Sequence, residues 1–503
     1  MAIEIELKFR VPPDRLAALR RAVATASAEV QPLAAAYFDT PGEHLARART
    51  ALRLRREGQA WVQTLKAEGA SSLQRLEDNV AVAGSARPVL DPGRHDGSPA
   101  AAVLRRLLAE AGPEQPLGER YATAVRRTRR VLRSGGARIE LALDEGEVRA
   151  GDRSLALCEI EFELLSGPPQ ALLALAGRWA ARHGLLLDVR SKSELGHTLA
   201  AGLPGSPPAM ARPLHLARQA GWQEARAAML ANTLRQVLAN ASQLAAGPAQ
   251  PGHLHQLRVG LRRLRSVLAV AWPAETTAAL QTALSALFRQ LGALRDQDSM
   301  ADWLGPALQA AGSPWLPLAG AADGGPPAEA DGGPPSAAAA LLRQPAVQQL
   351  WLDLLALGLP ATAGDAAADA ATVPAGSQLA APLQRLQRQV RRDARRFAAL
   401  DDPARHRLRR RIKRLRYLVE LSAGLWPGKP VRRLLRRLKA AQAPLGDFND
   451  CLVAQAHCRA LASQDAHAWF AVGWLAARRE ALLLPCAAAL QRLARLPGAW
   501  PKA

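Results

Sequence analysis

The chain has 503 residues, more than one hydrophobic core usually organises, so its length predicts at least two domains. Its formal net charge of +22 at pH 7 indicates a polyanionic partner, whereas an aromatic content of 4% and the lack of a recognition motif argue against nucleic acid. Four cysteines in so long a chain argue against a disulfide-based scaffold and are typical of a reducing cytoplasm.

Two acidic segments alternate between charged and apolar residues, as a strand with two different faces does. Their charged faces carry Glu4, Glu6 and Lys8 in the first segment and Glu159, Glu161 and Glu163 in the second. Two like charges ~4 Å apart repel by about 4 kcal/mol at an effective dielectric constant of ~20. We therefore expect a shared divalent cation, Mg²⁺ or Mn²⁺, which carboxylate oxygens bind well.

Basic segments with the same alternation lie between the acidic ones. Their charged faces carry Arg53, Arg55, Lys66, Arg127 and Arg129, and a later segment places Arg138, Glu140 and Asp144 on one face. Arginine binds phosphate oxygens in pairs, and lysine acts as a mobile point charge. Carboxylates for a metal and cations for phosphate, all on alternating strands, predict a closed sheet whose lumen binds a metal-complexed polyphosphate.

These segments, with a closing Ser191-Lys192, resemble the CYTH domain of the triphosphate tunnel metalloenzymes over roughly residues 1–200. The resemblance implies an antiparallel eight-stranded tunnel. It implies metal ligands at Glu4, Glu6, Asp144, Glu159, Glu161 and Glu163. It implies triphosphate binding by Lys8, Arg53, Arg55, Lys66, Arg127, Arg129, Arg138 and Lys192, with catalytic roles for Glu4, Glu6, Lys8, Lys66 and Glu161.

Proline and glycine mark a change of composition after residue 203. We predict a first domain at residues 1–203, a linker at 204–213 and a second domain at 214–503. Strand-type alternation disappears beyond the linker, and Ala, Leu and Arg recur with helical spacing. A Gly/Pro/Ala-rich stretch near 312–377 predicts a flexible insertion, with one short helix around Gln344 to Leu357.

The second domain contains an internal repeat. His255, Arg258, Arg262, Arg263 and Arg265 correspond at identical spacing to His406, Arg409, Lys413, Arg414 and Arg416. At ~100° per residue, one helix face carries His255, Arg258, Arg262 and Arg265. A stripe of leucines lies on the opposite face. Each copy therefore predicts a helix that buries leucines and presents a basic stripe, and the two stripes are expected to face one groove.

This half resembles the CHAD domain, a duplicated helical bundle associated with inorganic polyphosphate. The resemblance implies that all ten residues of the repeat bind polyphosphate. The predicted fold is thus α+β and multidomain, with an antiparallel β tunnel followed by an all-α duplicated bundle. The competing interpretation of the stripes is an ordinary solvated basic helix face.

Together these patterns predict a metal-dependent inorganic triphosphatase with a polyphosphate-binding module. The alternatives are a nucleoside or thiamine triphosphatase, an RNA 5′-triphosphatase, a class IV adenylyl cyclase, or a non-enzymatic polyphosphate-granule protein. We expect a cytoplasmic location, with polyphosphate granules as a candidate site. The apolar run Trp469 to Ala477 is too short to span a bilayer. The sequence sets no oligomeric state.

Overall fold

The computed structural model describes residues 3–68, 74–84, 86–315, 336–359, 373–497 and 500. It does not describe the side chains of residues 3, 4, 74, 75, 295–299, 301 and 302. The predicted metal ligand Glu4 therefore lies outside the described side chains, and much of the predicted insertion lies outside the described residues. No helix in the described ranges is both long enough and apolar enough to cross a membrane.

The chain forms two compact units, each made of segments that are discontinuous in sequence. The first unit comprises Met1–Met210, Leu234–Leu257 and Gly332–Thr362. The second comprises Ala211–Thr233, Arg258–Asp331 and Ala363–Ala503. Because both units are discontinuous in sequence, they do not test the predicted domain boundaries at residues 203 and 214, which stay predictions.

The first unit is built around one antiparallel sheet. Its strands are β1 (Ile3–Arg10), β2 (Glu29–Asp39), β3 (Ala51–Glu57), β4 (Ala60–Glu68), β5 (Gln74–Val82), β6 (Gly118–Ser134), β7 (Ala137–Ala150), β8 (Arg153–Ser166) and β9 (Leu186–Leu187). They run in the order β5-β4-β3-β2-β6-β7-β8-β1-β9, and β5 also pairs with β1, so eight of them close a ring. The sheet has nine strands rather than the predicted eight, because β9 pairs with the end of β1 and is too short to show alternation.

The two faces of the ring differ in polarity, as the alternation predicted. Phe9 and Phe162 are fully buried and meet edge to face, with ring centroids 5.8 Å apart. Phe162 also packs against Trp179 of a covering helix, at 6.0 Å between centroids. Because a helix covers this apolar face, the charged residues of the same strands face the lumen. The helices between strands and directly after β9 are α1 (Pro13–Val23), α2 (His44–Arg47), α3 (Pro99–Ala111), α4 (Pro169–His183) and α5 (Lys192–Ala200).

The rest of the described chain is mainly helical. Its helices are α6 (Trp222–Ala246), α7 (Pro251–Ala271), α8 (Ala274–Ala310), α9 (Ala337–Leu342), α10 (Pro345–Ala356), α11 (Ala375–Arg395), α12 (Asp402–Leu421), α13 (Gly428–Leu461) and α14 (Ala468–Ala494). Helix α10 confirms the short helix predicted inside the insertion. The end of α6, together with α9 and α10, belongs to the first unit.

The repeat forms the helices α7 and α12. Leu261, Leu264 and Leu268 of α7 are fully buried, as are Leu408 and Leu415 of α12. Burying a leucine side chain completely contributes roughly 1.5–3 kcal/mol, so these stripes fix which face of each helix points inward. The prediction that each helix buries an apolar stripe is confirmed.

Candidate functional site

Three carboxylates from neighbouring strands converge in the lumen of the ring. Asp144 lies on β7, Glu159 and Glu161 lie on β8, and one oxygen of each lies within 4.8 Å of the others. The register explains the convergence, since Asp144 lies directly opposite Glu159 and the side chains of Glu159 and Glu161 point the same way. Asp144 is fully buried and Glu159 is 4% exposed.

Two lysines neutralise this acidic trio. The Lys192 ammonium, at the start of α5, lies 2.8 Å from Asp144 Oδ2 and 2.8 Å from Glu161 Oε1, and it also pairs with Glu159. Lys8 Nζ donates to Glu159 Oε2 at 2.9 Å. The structure therefore places Lys8 and Lys192, both predicted to bind phosphate, among the predicted metal ligands.

Arg127 on β6 binds the same trio. Its guanidinium donates from Nε and Nη2 to the two oxygens of Asp144, each at 2.7 Å, and from Nη2 to Glu161 Oε2 at 2.5 Å. Such a two-pronged, charge-assisted contact fixes both side chains in orientation.

These cations keep Asp144 and Glu161 ionised. Burial alone would raise the pKa of Glu161, but the charges of Lys192 and Arg127 outweigh it and hold the pKa well below its usual range. The same balance lowers the pKa of Asp144. In turn, burial would lower the pKa of Lys192, yet the three carboxylates raise it well above the ordinary lysine value.

A second row of carboxylates crosses the sheet beside the trio. Glu6 on β1 lies opposite Glu163 on β8, which lies opposite Glu140 on β7. Burial raises the pKa of Glu163, and the charge of Glu140 raises it further. The negative charges of Glu77 and Glu6 act in the same direction, and Lys66 opposes them. Several carboxylates thus act on Glu163 in this part of the lumen.

The three predicted phosphate-binding cations of β3 and β4 also lie in the ring. Arg53 Nη1 donates to Tyr37 Oη at 3.1 Å, Arg55 pairs with Glu57, and Lys66 Nζ lies 2.5 Å from Glu77 Oε2. Burial lowers the pKa of Arg55, and the neighbouring charge of Arg53 lowers it further. An anion bound beside Arg53 and Arg55 would relieve that repulsion.

Two predicted phosphate ligands lie nearer the solvent. Arg129 contacts Glu29 at 3.0 Å and Glu140 at 3.6 Å, and its side chain is 43% exposed. Arg138 is exposed at the beginning of β7. The structure thus gathers Lys8, Arg127 and Lys192 around the trio but leaves Arg138 at a strand end.

Tyr37 is a lumen residue that the sequence reasoning missed. It lies opposite Arg53 in the β2–β3 register, is 3% exposed, and stacks on Tyr121 at 4.7 Å between ring centroids. Burial raises its pKa, but the charge and hydrogen bond of Arg53 more than compensate, so the pKa of Tyr37 is lowered. β2 has no alternation of charged and apolar residues. The only sequence signal for Tyr37 is that it precedes, by 16 residues, Arg53 on a predicted strand.

The donor set of the lumen fits a hard divalent cation. Every candidate ligand with a described side chain is a carboxylate: Glu6, Asp144, Glu159, Glu161 and Glu163. Oxygen ligands of this kind suit Mg²⁺ or Mn²⁺. Burial raises the pKa of Glu163 and neighbouring carboxylates raise it further, so a cation bound beside it would favour its ionised form.

The basic stripes of the second unit meet between α7 and α12. The charges of Arg409 and Arg262 act on Lys413, and the charge of Arg410 acts on Arg265. Arg258 and Arg262 lie over the Phe288 ring, at 5.3 and 5.7 Å from its centroid. On α12, His406 hydrogen-bonds Asn449 at 2.8 Å, Arg409 lies 3.7 Å from Asp450, and Arg416 lies 3.8 Å from Glu420.

Arg263 differs from the other predicted polyphosphate ligands. It is 2% exposed, and its Nη2 donates to Asn232 Oδ1 of α6 at 2.9 Å. The structure therefore places this guanidinium in the interior of the second unit, whereas its counterpart Arg414 is only half-buried. His255 is assigned to the first unit.

Comparison with known families finds two domains in this chain. The model of the CYTH domain matches residues 2–194, and the model of the CHAD domain matches residues 228–459. The first match covers the closed sheet, its covering helices and the beginning of α5. The second begins within α6 and ends within α13.

Individual relatives match parts of the chain. An inorganic triphosphatase from Haemophilus influenzae is 31% identical over 167 residues, which cover 32% of this chain and 44% of that protein. The crystal structure of the CHAD domain from the plant Ricinus communis is 31% identical, covers 58% of this chain and 99% of that chain, and has a TM-score of 0.48. A putative adenylyl cyclase from Hippeastrum, described as having a dominant triphosphatase activity, is 21% identical over 40% of this chain and 96% of that chain, with a TM-score of 0.28. The chain thus spans less than half the length of the curated relative.

Proposed function

We propose that this protein, which contains a CYTH domain and a CHAD domain, hydrolyses inorganic triphosphate to pyrophosphate and phosphate in its closed sheet and binds inorganic polyphosphate through its helical domain. The observation that carries the first part is the convergence of a buried acidic trio with lysine and arginine side chains in one lumen. The similarity to an inorganic triphosphatase over 167 residues agrees with it.

The side chains of β3 and β4 supply the positive charge for the substrate. Arg53 and Arg55 point the same way from one strand and repel each other, so a triphosphate between them gains attraction and removes repulsion. Lys66, now paired with Glu77, adds a mobile ammonium. Together they neutralise charge on the transferred phosphoryl group, which is the main demand of this reaction.

Glu6, Asp144, Glu159, Glu161 and Glu163 would hold the Mg²⁺ or Mn²⁺, with Glu4 added by resemblance. Bound there, the metal would polarise the phosphate oxygens and balance the carboxylates. Arg127 and Lys192 keep Asp144 and Glu161 ionised, as the lowered pKa of each carboxyl shows. An ionised carboxylate in the lumen can also orient the attacking water, so no covalent intermediate is needed.

The helical domain would bind longer polyphosphate through its two basic stripes. Arg258, Arg262 and Lys413 are half-buried cations on facing repeats. The mutual influence of Arg262 and Lys413 supports one shared anion site rather than two separate solvated faces.

A substrate panel tests the activity. Phosphate release from tripolyphosphate, ATP, thiamine triphosphate and 5′-triphosphorylated RNA should be measured with Mg²⁺, with Mn²⁺ and with chelator, together with cyclic AMP formation from ATP. We expect the fastest release from tripolyphosphate and none with chelator. Faster turnover of an organic triphosphate would establish one of the alternative activities, and no turnover with any of them would leave a binding protein.

Two substitutions on neighbouring positions of β7 provide a matched control. Asp144→Asn removes a lumen carboxylate, and we expect phosphate release to be abolished at saturating metal. Glu145→Gln changes the next residue, whose carboxylate accepts from Arg20 Nε at 2.7 Å on the other face of the strand, and activity should remain. Equal activity in both variants would remove Asp144 from the site.

A further inference from the structure

We propose that Arg190 is a positioning residue for Lys8 and that it is held in place by the end of α6, a helix outside the matched CYTH region. The inference rests on the proposed function of the lumen, because it assigns an orienting partner to one of its lysines. Arg190 lies between β9 and α5, two residues before Lys192.

The contact with Lys8 is made by the backbone of Arg190. Lys8 Nζ donates to the Arg190 carbonyl oxygen and, at 2.9 Å, to Glu159 Oε2. The backbone amide of Asp188 in turn donates to the Lys8 carbonyl at 2.9 Å. The side chain of Lys8 is 10% exposed, so these two acceptors determine where its ammonium lies.

The side chain of Arg190 fixes the position of that carbonyl. Its Nε and Nη2 donate to the two oxygens of Asp188, at 2.9 and 2.6 Å, and the Arg190 amide donates to Asp188 Oδ1 at 3.0 Å. Asp188 and Arg190 are 7% and 6% exposed. Burial would raise the pKa of Asp188, but the charge and hydrogen bonds of Arg190 lower it, so the pair stays ionised.

Gln243 of α6 completes the network. Its Oε1 accepts from Arg190 Nη1 at 3.0 Å and from the Ser206 amide at 3.1 Å, and its Nε2 donates to the Pro248 carbonyl. The side chain is 1% exposed, so its amide has no alternative partner in water. A buried group whose every polar atom is satisfied holds one orientation, and it transmits that orientation to Arg190.

The same segment is anchored at two further points. Ser242 Oγ accepts from the Val189 amide at 3.2 Å and donates to the Leu187 carbonyl at 3.3 Å. Gln348 of α10 accepts from the Leu187 amide at 2.7 Å. Helices α6 and α10, which follow the CYTH match in sequence, therefore hold residues 187–190 in position. They thereby also position the Arg190 carbonyl oxygen, which accepts from Lys8.

The test compares two buried amides of α6. Gln243→Met removes the partner of Arg190. Asn240→Leu removes an equally buried amide, whose hydrogen bonds among the described residues go to the backbone of Ala209 and Gln236 rather than to residues 187–190. Both variants lose contacts to the segment 206–209, so a general loss of stability affects both.

The direct readout is the reactivity of Lys8 in the full-length protein. Trace acetylation followed by peptide mass spectrometry gives the labelling of Lys8 relative to Lys66, a lysine of the same lumen that pairs with Glu77. We expect this ratio to rise several-fold in Gln243→Met and to stay at the wild-type value in Asn240→Leu. An equal ratio in the two variants would overturn the assignment. Asp188→Asn, which keeps Oδ1 as an acceptor, should give a smaller rise, and it decides the matter if Gln243→Met does not fold.

Kinetics provide the second readout. Loss of an outer partner of an active-site group typically costs about ten- to a hundredfold in activity, and we expect kcat/KM for tripolyphosphate to fall by that factor in Gln243→Met only. Labelling needs no turnover. A wild-type protein that releases no phosphate would therefore contradict the proposed function, while the labelling ratio would still decide the role of Arg190.

Discussion

Replacing Lys413 by arginine tests whether one protonation event controls polyphosphate affinity. Lys413 is half-buried on α12 beside Arg409 and Arg416, with Arg262 on α7 and Asp450 on α13. Burial, and then the charges of Arg409 and Arg262, lower the pKa of Lys413 to about 7, and Asp450 opposes them. At neutral pH the free protein therefore holds this site only partly protonated.

The expected effect follows from the difference in pKa between the free and bound states. A bound polyanion raises the pKa of Lys413 back toward the ordinary lysine value of ~10.4. Binding then takes up a proton, so affinity is highest below pH 7 and falls by up to about tenfold per pH unit above it. The loss between pH 7 and pH 9 should reach at most ~50-fold, because about half of the free sites are protonated at pH 7 and ~1% at pH 9.

Isothermal titration calorimetry of the full-length protein with long-chain polyphosphate measures this. Titrations at constant ionic strength in buffers of different ionisation enthalpy give the affinity and the number of protons taken up. Lys413→Arg should bind with little change between pH 7 and 9, because arginine stays charged. Lys413→Met should bind weakly throughout. Every other ionisable group is common to wild type and Lys413→Arg, so the compared quantity is the difference between these two proteins.

Lys439→Arg, on the exposed side of α13, is the matched control and should keep the wild-type pH dependence. If wild type and Lys413→Arg lose affinity equally from pH 7 to 9, Lys413 is not the titrating group. The crowding of cations between the two repeats would then not control binding.

Three further predictions concern single side chains. Asp144→Asn should lower the unfolding free energy of the first unit by roughly 1.5–3 kcal/mol, because it weakens the charge-assisted hydrogen bonds between the fully buried Asp144 and Arg127, and thermal unfolding should show little change for Glu145→Gln. Acid should destabilise the same unit, because the folded pKa values of Asp144 and Glu161 lie below their unfolded values. The stabilisation from these two carboxylates is complete above about pH 5 and is lost as the pH falls through the folded pKa values. A melting temperature that stays constant down to pH 2 would contradict this. Arg263→Met should destabilise the second unit by roughly 1.5–3 kcal/mol, because Arg263 is buried and hydrogen-bonded to Asn232. Arg262→Met should instead reduce the slope of log affinity against log salt concentration for polyphosphate binding by about 0.7–0.9. The reverse result, with Arg262→Met destabilising and Arg263→Met changing the slope, would refute the distinction.

Period-two alternation predicted which residues of each strand face the lumen, because facing is a local property of the strand. Glu159 and Glu161 share a face for this reason, and so do Glu6 and Lys8. Which side chains pair across the ring is a property of register and closure. The sequence alone therefore could not show that Lys192 reaches three carboxylates, or that Tyr37 contacts Arg53.

Helical geometry was likewise more informative than residue type. Arg262 and Arg263 are adjacent, so their side chains point ~100° apart around α7. The resemblance implied the same role for both, but one lies over Phe288 and the other is buried against Asn232. The support of residues 187–190 by α6 and α10 could not be predicted either, since these contacts join segments 53 to 161 residues apart that carry no motif.

The closure of the ring by β1 constrains how the chain folds during its synthesis. β1 is made first, yet its main partner β8 follows so late that Lys8 and Glu159 are 151 residues apart. At ~5–20 residues per second, a ribosome needs about 8–30 s to add that length. During this interval β1 has at most its three-residue pairing with β5, and its other edge is open to pairing with any strand nearby. The charges on alternate positions of β1 that later face the lumen would discourage such pairing, so residues placed there for chemistry also protect the nascent chain from aggregation.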